Sequence, residues 1–202
     1  MSTKSITFAL LTGLSMAAAG CGVAEQGQSS SLVVIESLQA ASIQKAGTQP
    51  ALGGFLLSDV CVLNNGSCTI FDDVGSVTMN VRLKDPGSPG VTNGPSPLND
   101  VTFTRYHVEY VRADGRNVPG VDVPFPFDSA VTFTATAAGS TASFELVRHL
   151  AKVEAPLAAL ANDLKIITTI ANVTFYGKDQ GGKNVAVTGS IQVSFGNFAD
   201  PA

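Results

Sequence analysis

Histidine is nearly missing from this chain, and with it most of the chemistry that runs near neutral pH. His107 and His149 are the only two, and no other side chain has an unperturbed pKa in that range. Neither sits in an H-x-H or H-E-x-x-H spacing, and no C-x-x-C occurs, so the motif-built zinc centres are excluded. G-x-S-x-G, the P-loop and G-x-G-x-x-G are absent too. The one Gly-Ser-Pro-Gly run (87–90) lies in a loop, without the strand-to-helix setting of an esterase elbow. No catalytic signature and no cofactor fingerprint emerges. Charged residues make up only 14% of the 202, with a net charge of −4. The basic ones are scattered singly, which excludes the stripe that nucleic acid requires and disfavours electrostatic attachment to anionic lipid. No apolar run reaches the ~20 residues needed to span a bilayer.

The longest apolar run, Ile6–Leu14, follows Lys4 and is followed by small residues that end at Ala19-Gly20-Cys21. A charged start, a short apolar middle and a small-residue exit form a secretory signal peptide. The exit resembles the lipobox of bacterial lipoproteins, with Ala18 where that family favours leucine. The resemblance implies a signal peptide over 1–20 and lipid on Cys21, hence a membrane anchor at the cell envelope. An ordinary signal peptide cut nearby is the alternative. Residues 22–31 (GVAEQGQSSS) are polar and aperiodic and read as a flexible tether. Gly22, rather than an acidic residue, follows the cysteine, which favours the outer membrane if the cell has two.

Cys61 and Cys68 remain as an even pair in an exported chain, where disulfides persist. VLNNGS between them carries strong turn chemistry. A turn at Asn64-Asn65 places Leu63 opposite Gly66, Val62 opposite Ser67 and Cys61 opposite Cys68, so a bridge across a short hairpin is expected. A thiolate pair without a nearby histidine makes a poor metal site.

From Leu32 onward the pattern has period two. In 185–195, Val185, Val187, Gly189, Ile191, Val193 and Phe195 share one face, with Ala186, Thr188, Ser190, Gln192 and Ser194 on the other. Residues 76–84 alternate likewise and bury Val77, Met79, Val81 and Leu83. Residues 130–137 bury Val131, Phe133 and Ala135. The alternation in 101–112 slips near Arg105, which predicts a bulge, and 165–177 slips around Thr168–Ala171. Further strands are expected at 32–38, 54–63 and 143–150. Two stretches have helix-permitting composition: 36–46, and 151–163, where Pro156 limits the helix to about one turn. Gly181-Gly182 should close an antiparallel hairpin of 165–177 with 185–195.

The closing segment ANVTFYGKDQGGKNVAVTGSIQVSF resembles the last hairpin of bacterial immunoglobulin-like domains. Residues Phe55 to Phe198 resemble uncharacterised envelope lipoproteins that carry segments like RADGRNVPGVDVPFPFD and FELVRHLAK. These resemblances imply a fold and no activity. The expected architecture is therefore all-β: an immunoglobulin-like antiparallel β-sandwich of about 7–8 strands over 32–202, with a barrel as the alternative.

Few residues stand out as candidate sites. Arg105, His107 and Glu109 share a strand face, which reads as a solvated charge row or as the start of an acid/base or metal site. His149, beside Arg148, Lys152 and Glu154, is weaker still. Asp72-Asp73 and Asp114 read as turn formers, since calcium needs six or more oxygens. The loop 85–100 is long and Pro/Gly-rich, either functional or disordered. In 117–128, Phe125 and Phe127 either close one end of the sandwich or form an exposed apolar contact patch. A lipid-anchored, non-enzymatic interaction or structural module with an envelope protein partner is the expected function. A binder of a small molecule or carbohydrate through the end loops is the alternative.

Overall fold

The computed structural model describes residues 29–43, 51–64, 67–85, 87 and 93–198. The signal peptide expected over 1–20, Cys21, most of the expected tether, Asn65-Gly66 and the middle of the 85–100 loop lie outside the described residues.

Ten strands form among the described residues: β1 (Ser31–Ser42), β2 (Phe55–Asp59), β3 (Val62–Asn64), β4 (Ser67–Thr69), β5 (Asp73–Leu83), β6 (Val101–Val111), β7 (Phe127–Ala135), β8 (Ser140–Val147), β9 (Ile167–Asp179) and β10 (Asn184–Gly196). One short helix, α1 (His149–Val153), and a 3-10 turn at Leu157–Asn162 make the crossover from β8 to β9. The sheets run β1-β5-β8, β2-β10-β9-β6-β7 and β3-β4. The all-β expectation holds. The purely antiparallel one does not, because β2 pairs parallel to β10 along Phe55–Asp59.

Side chains of the two larger sheets meet in one core. Val77, Met79 and Val81 of β5 and Leu146 of β8 are buried against Phe103, Tyr106, Val108, Val173, Phe175, Val193 and Phe195 of the five-stranded sheet. Phe144 of β8 bridges the sheets, with ring centroids 5.3 Å from Tyr106 and 5.3 Å from Phe175, edge to face in both cases. Two tyrosines tie the sheets by hydrogen bonds. The Tyr106 hydroxyl donates to the Glu145 carbonyl at 3.0 Å and accepts the Glu145 N–H at 3.1 Å. The Tyr110 hydroxyl donates to the Leu146 carbonyl at 2.6 Å.

The bulge expected near Arg105 is present: β6 shifts register between Phe103 and Arg105 against both β7 and β9. Thr104 and Arg105 therefore both face outward while Phe103 and Tyr106 both stay buried. The C-terminal hairpin pairs Val187 with Phe175 and Ile191 with Ala171. Its turn uses Gly182 at φ 80°, a left-handed conformation that favours glycine, and the Gly182 N–H donates to the Asp179 carbonyl at 2.9 Å.

Three expectations are corrected. Of residues 36–46, read as helix-permitting, 36–42 are strand, because pairing with β5 from Ser37↔Thr78 to Ser42↔Asp73 overrides a weak local propensity, and 44–46 lie outside the described residues. The slip expected at Thr168–Ala171 is absent, since β9 pairs with β10 without interruption. Thr169 occupies an interior position there and Ile170 an exterior one, which inverts the usual pattern. The cysteine hairpin also closes one residue further on. Asn64 pairs with Ser67 and Leu63 with Cys68, so the two-residue connection is Asn65-Gly66, and Asn-Gly is the dipeptide that such connections favour. Cys61, just before β3, still meets Cys68: their Cα atoms are 5.3 Å apart and their sulfurs lie at disulfide distance.

The strand register gives the domain two distinct ends. Ser31, Leu83, Val101, Ala135 and Asp179 gather where the chain enters. Ser42, Asp59, Asp73, Val111, Val147, Ile167 and Gly196 gather at the other. The hairpin 61–69, the loop 112–126 and the crossover 148–166 all project from that second end.

The alternation on β10 predicts unequal costs for neighbouring substitutions. Ile191 is buried and Thr188 exposed. Ile191→Ala should destabilise by about 2–5 kcal/mol and Thr188→Ala by under ~0.5 kcal/mol. Denaturant melts of both variants read this directly, and a larger loss from Thr188→Ala would place the faces the other way round.

Candidate functional site

The second end is organised by a buried ion pair. Asp73, the first residue of β5, and Lys152 of α1 lie 2.9 Å apart with side chains 0% and 1% exposed. The Asp73 carboxylate also accepts hydrogen bonds from Ser42 of β1 at 2.7 Å and Ser58 of β2 at 2.6 Å. The Lys152 ammonium donates to the Asp59 carbonyl at 2.9 Å, and the Asp59 carboxylate accepts the Cys61 N–H at 3.1 Å. Four segments distant in sequence thus converge on one amine and one carboxyl. Burial lifts the Asp73 carboxyl above its usual range, and the Lys152 charge with the two hydroxyls draws it back only in part. Such a shielded pair has no route to substrate, so its role is structural.

Around this pair the end exposes apolar side chains among charged ones. Leu164 is 96% exposed, and Leu63, Val118, Val121, Phe125, Leu150, Val153 and Ile166 are exposed as well. The apolar surface continues onto the outer face of the five-stranded sheet. Register places Phe55, Gln192, Ile170 and Val111 in one row across β2, β10, β9 and β6, with Phe55 and Ile170 exposed. Leu57, two residues along β2, is exposed on the same face. Ile166 lies beside Gly196 at the end of β10. Exposed aliphatic and aromatic side chains gathered on one part of a domain mark contact surfaces more often than scattered ones do.

A polar brace holds the loop that borders this tract. Asp114 accepts hydrogen bonds from the guanidinium groups of Arg112 at 2.6 and 3.1 Å and Arg116 at 2.8 and 3.0 Å. The two arginines hold its carboxyl far below the usual carboxylate range. A hollow of about 370 Å³ between these arginines and the crossover is lined by Leu160, Asp163, Lys165 and Ile166.

The sequence-derived candidates are dispersed rather than gathered. Phe127 is buried, 6.2 Å from the Tyr106 ring and beneath the Arg148 guanidinium. This corrects its place in a contact patch with Phe125: regular alternation would put the two rings on one side, but burial along 123–127 runs buried, buried, exposed, exposed, buried, so the period breaks between them. Phe125 stays 49% exposed. Arg105 and His107 face solvent, and both reach Asp128 of β7, at 2.9 and 3.2 Å; Glu109 continues the row. His149 is exposed, and its backbone N–H donates to Asp72. Asp73 is an interior partner rather than a turn former. Cys21 lies outside the described residues, and Cys61 with Cys68 staples the hairpin beside Asp59. Among the described residues no three His, Cys, Asp or Glu side chains are grouped to hold a metal.

Sequence reading missed both the ion pair and the tract. Lys152 looked like one charge among several at a strand end. Ile170 looked like a slip of register when it was an apolar residue on a wet face, which is the one signal that would have exposed the tract. No family model, no curated protein and no solved structure matches this chain.

Removing one partner from a sealed ion pair strands the other, so Lys152→Met or Asp73→Asn alone should cost about 3–5 kcal/mol. The double variant should cost clearly less than the sum of the two, as read by a double-mutant cycle in urea. Additive losses would show that the groups act separately.

Glu145 supplies a pH dependence. Burial and then the neighbouring Asp72 carboxylate raise its pKa in the folded state above the usual glutamate range. The native form then takes up a proton more readily than the unfolded chain. Its stabilising contribution is full below the unfolded value and is lost as pH rises through the folded one. Glu145→Gln should therefore gain stability relative to the parent as pH rises through that window, as measured by melts between pH 3.5 and about 7. A parent that gains on the variant over the same range would reverse the sign.

Proposed function

We propose that this is a lipid-anchored protein of the bacterial cell envelope, whose immunoglobulin-like β-sandwich serves as a non-enzymatic interaction module. Strand order supports the fold assignment. In the five-stranded sheet β6, β9 and β10 lie side by side, as C, F and G do in an immunoglobulin sheet, and the order β1-β5-β8 resembles that of A, B and E. The inter-sheet disulfide and core tryptophan of antibody domains have no counterpart here. Aromatic packing around Phe144 fills that role, and the cysteine pair serves the hairpin before β5.

The polarity of the domain carries the functional reading. The chain enters beside Ser31, and the apolar tract lies at the opposite end. β10, 13 residues long, spans ~43 Å at ~3.3 Å per residue. The nine residues between Cys21 and Ser31 reach at most ~30 Å at ~3.3 Å each. A lipid on Cys21 attaches at the entry end, and Phe55, Leu57, Ile166 and Ile170 lie on the half of the domain further from it, placed to meet a partner elsewhere in the envelope.

Two measurements test this. Cys21→Ala should move the protein out of the detergent phase, and loss of an acyl mass from the mature N-terminus should accompany it. A photo-crosslinker at Leu57 should form a discrete adduct in intact cells, one that Ile170→Asp suppresses and that a crosslinker at Thr188 does not form. Unchanged membrane partition would overturn the anchor, and equal adducts at Leu57 and Thr188 would overturn the tract as the contact surface.

A further inference from the structure

The outer face of the five-stranded sheet changes character along its length, and its polar half holds a second feature. Near the entry end, a shallow depression of about 350 Å³ is lined by Thr102, Thr104, Arg105, Tyr176, Lys178 and Asn184. Two local devices shape it. The bulge in β6 turns Thr104 and Arg105 outward together. Opposite them, Gly177 lets β6 and β9 close up where any Cβ would strike the Thr102 carbonyl.

The side chains here are arranged beyond what the sheet needs. The Arg105 guanidinium lies 4.2 Å from the centre of the Tyr176 ring, an attraction between a cation and the ring quadrupole. Asp128 holds the same guanidinium at 2.9 Å, so the pair is set before any ligand arrives. The cross-strand neighbour on the other flank of Tyr176 is Ala186, whose single methyl reaches little of the ring. In the next row stand Thr102, Lys178 and Asn184. Lys178 makes no ion pair among the described residues, in a chain whose net charge is −4.

We infer that this depression is a binding site for an acidic sugar. The ring of Tyr176 offers an apolar platform for the C–H face of a pyranose. The Lys178 ammonium meets the carboxylate, and the Thr104 hydroxyl meets a sugar hydroxyl. A neutral sugar leaves the lysine unused, and a bare anion leaves the ring unused. The site is separate from the apolar tract, which begins three rows further along the sheet, and does not depend on the role proposed for it.

Titration of the mature domain with trigalacturonate, followed by amide chemical shifts, tests the assignment. Saturable shifts are expected at Thr104, Tyr176 and Lys178. Tyr176→Ala and Lys178→Ala should each weaken binding by about tenfold or more in a domain that still melts cooperatively, with the melting temperature unchanged for Lys178→Ala, whose side chain is exposed. Maltotriose and inorganic phosphate should each bind at least about tenfold more weakly than trigalacturonate. Absence of saturable shifts, binding by either control as tight as by trigalacturonate, or binding indifferent to both substitutions would overturn the proposal.

Discussion

One amine and one carboxyl hold the far end of this domain together. Lys152 arrives from the crossover after β8, Asp73 begins β5, and Ser42, Ser58 and Asp59 end β1 and β2. A sealed ion pair is poor evidence for net stability, because the desolvation of both charges offsets most of their attraction. Its effect lies in selectivity. Any arrangement that separates the two groups leaves a charge buried and unpaired, at a cost of several kcal/mol, so the crossover and the end of β2 have one acceptable seating. The residues that make the surface tract, Phe55 and Leu57 on β2 and Leu164 and Ile166 after α1, hang on the two segments so seated.

The two faces of the five-stranded sheet obey different rules. Inside, Phe103, Tyr106, Val108, Val173, Phe175, Val193 and Phe195 are sealed against the smaller sheet, and a change of one methylene is felt. Outside, the rows pass from Thr102, Lys178 and Asn184, through hydroxyl pairs such as Thr174–Thr188 at 2.9 Å, to Val111, Ile170 and Phe55. Packing demands nothing of this outer gradient. Ile170 and Phe55 leave apolar area in water, and burying such area is worth roughly 25 cal/mol per Å². A contact that covers them gains what the isolated domain forgoes.

The fold was legible wherever one face is wet and the other dry. The β9–β10 hairpin, the bulge at Arg105 and the interior row Val77, Met79 and Val81 all follow from alternation in the sequence. Legibility failed where a residue's partner lies far away in the chain. Residues 39–42 carry no strand signal of their own and become strand only against β5. Asp73 and Lys152 are 79 positions apart, and nothing local marks either as interior. Thr169 and Ile170 exchange the positions that their polarity assigns them, so a correct register looked broken. In the cysteine hairpin Asn64-Asn65 and Asn65-Gly66 both favour a turn, and only the pairing of Asn64 with Ser67 separates them.

The same contrast explains why the surface was harder to read than the core. A core position is determined many times over, by periodicity, size and the wet residue beside it. A surface position is determined only by what it meets, and that partner leaves no imprint on the chain's own periodicity. Phe125 and Phe127 show the difference within three residues: equal in chemistry and both flanked by proline, one is in the core and the other in water. Only the seating of Phe127 against Tyr106 and beneath Arg148 separates them. Exposed apolar residues that survive such sorting, on elements held rigid by a sealed ion pair, are the part of this molecule that its folding leaves unexplained and that binding would explain.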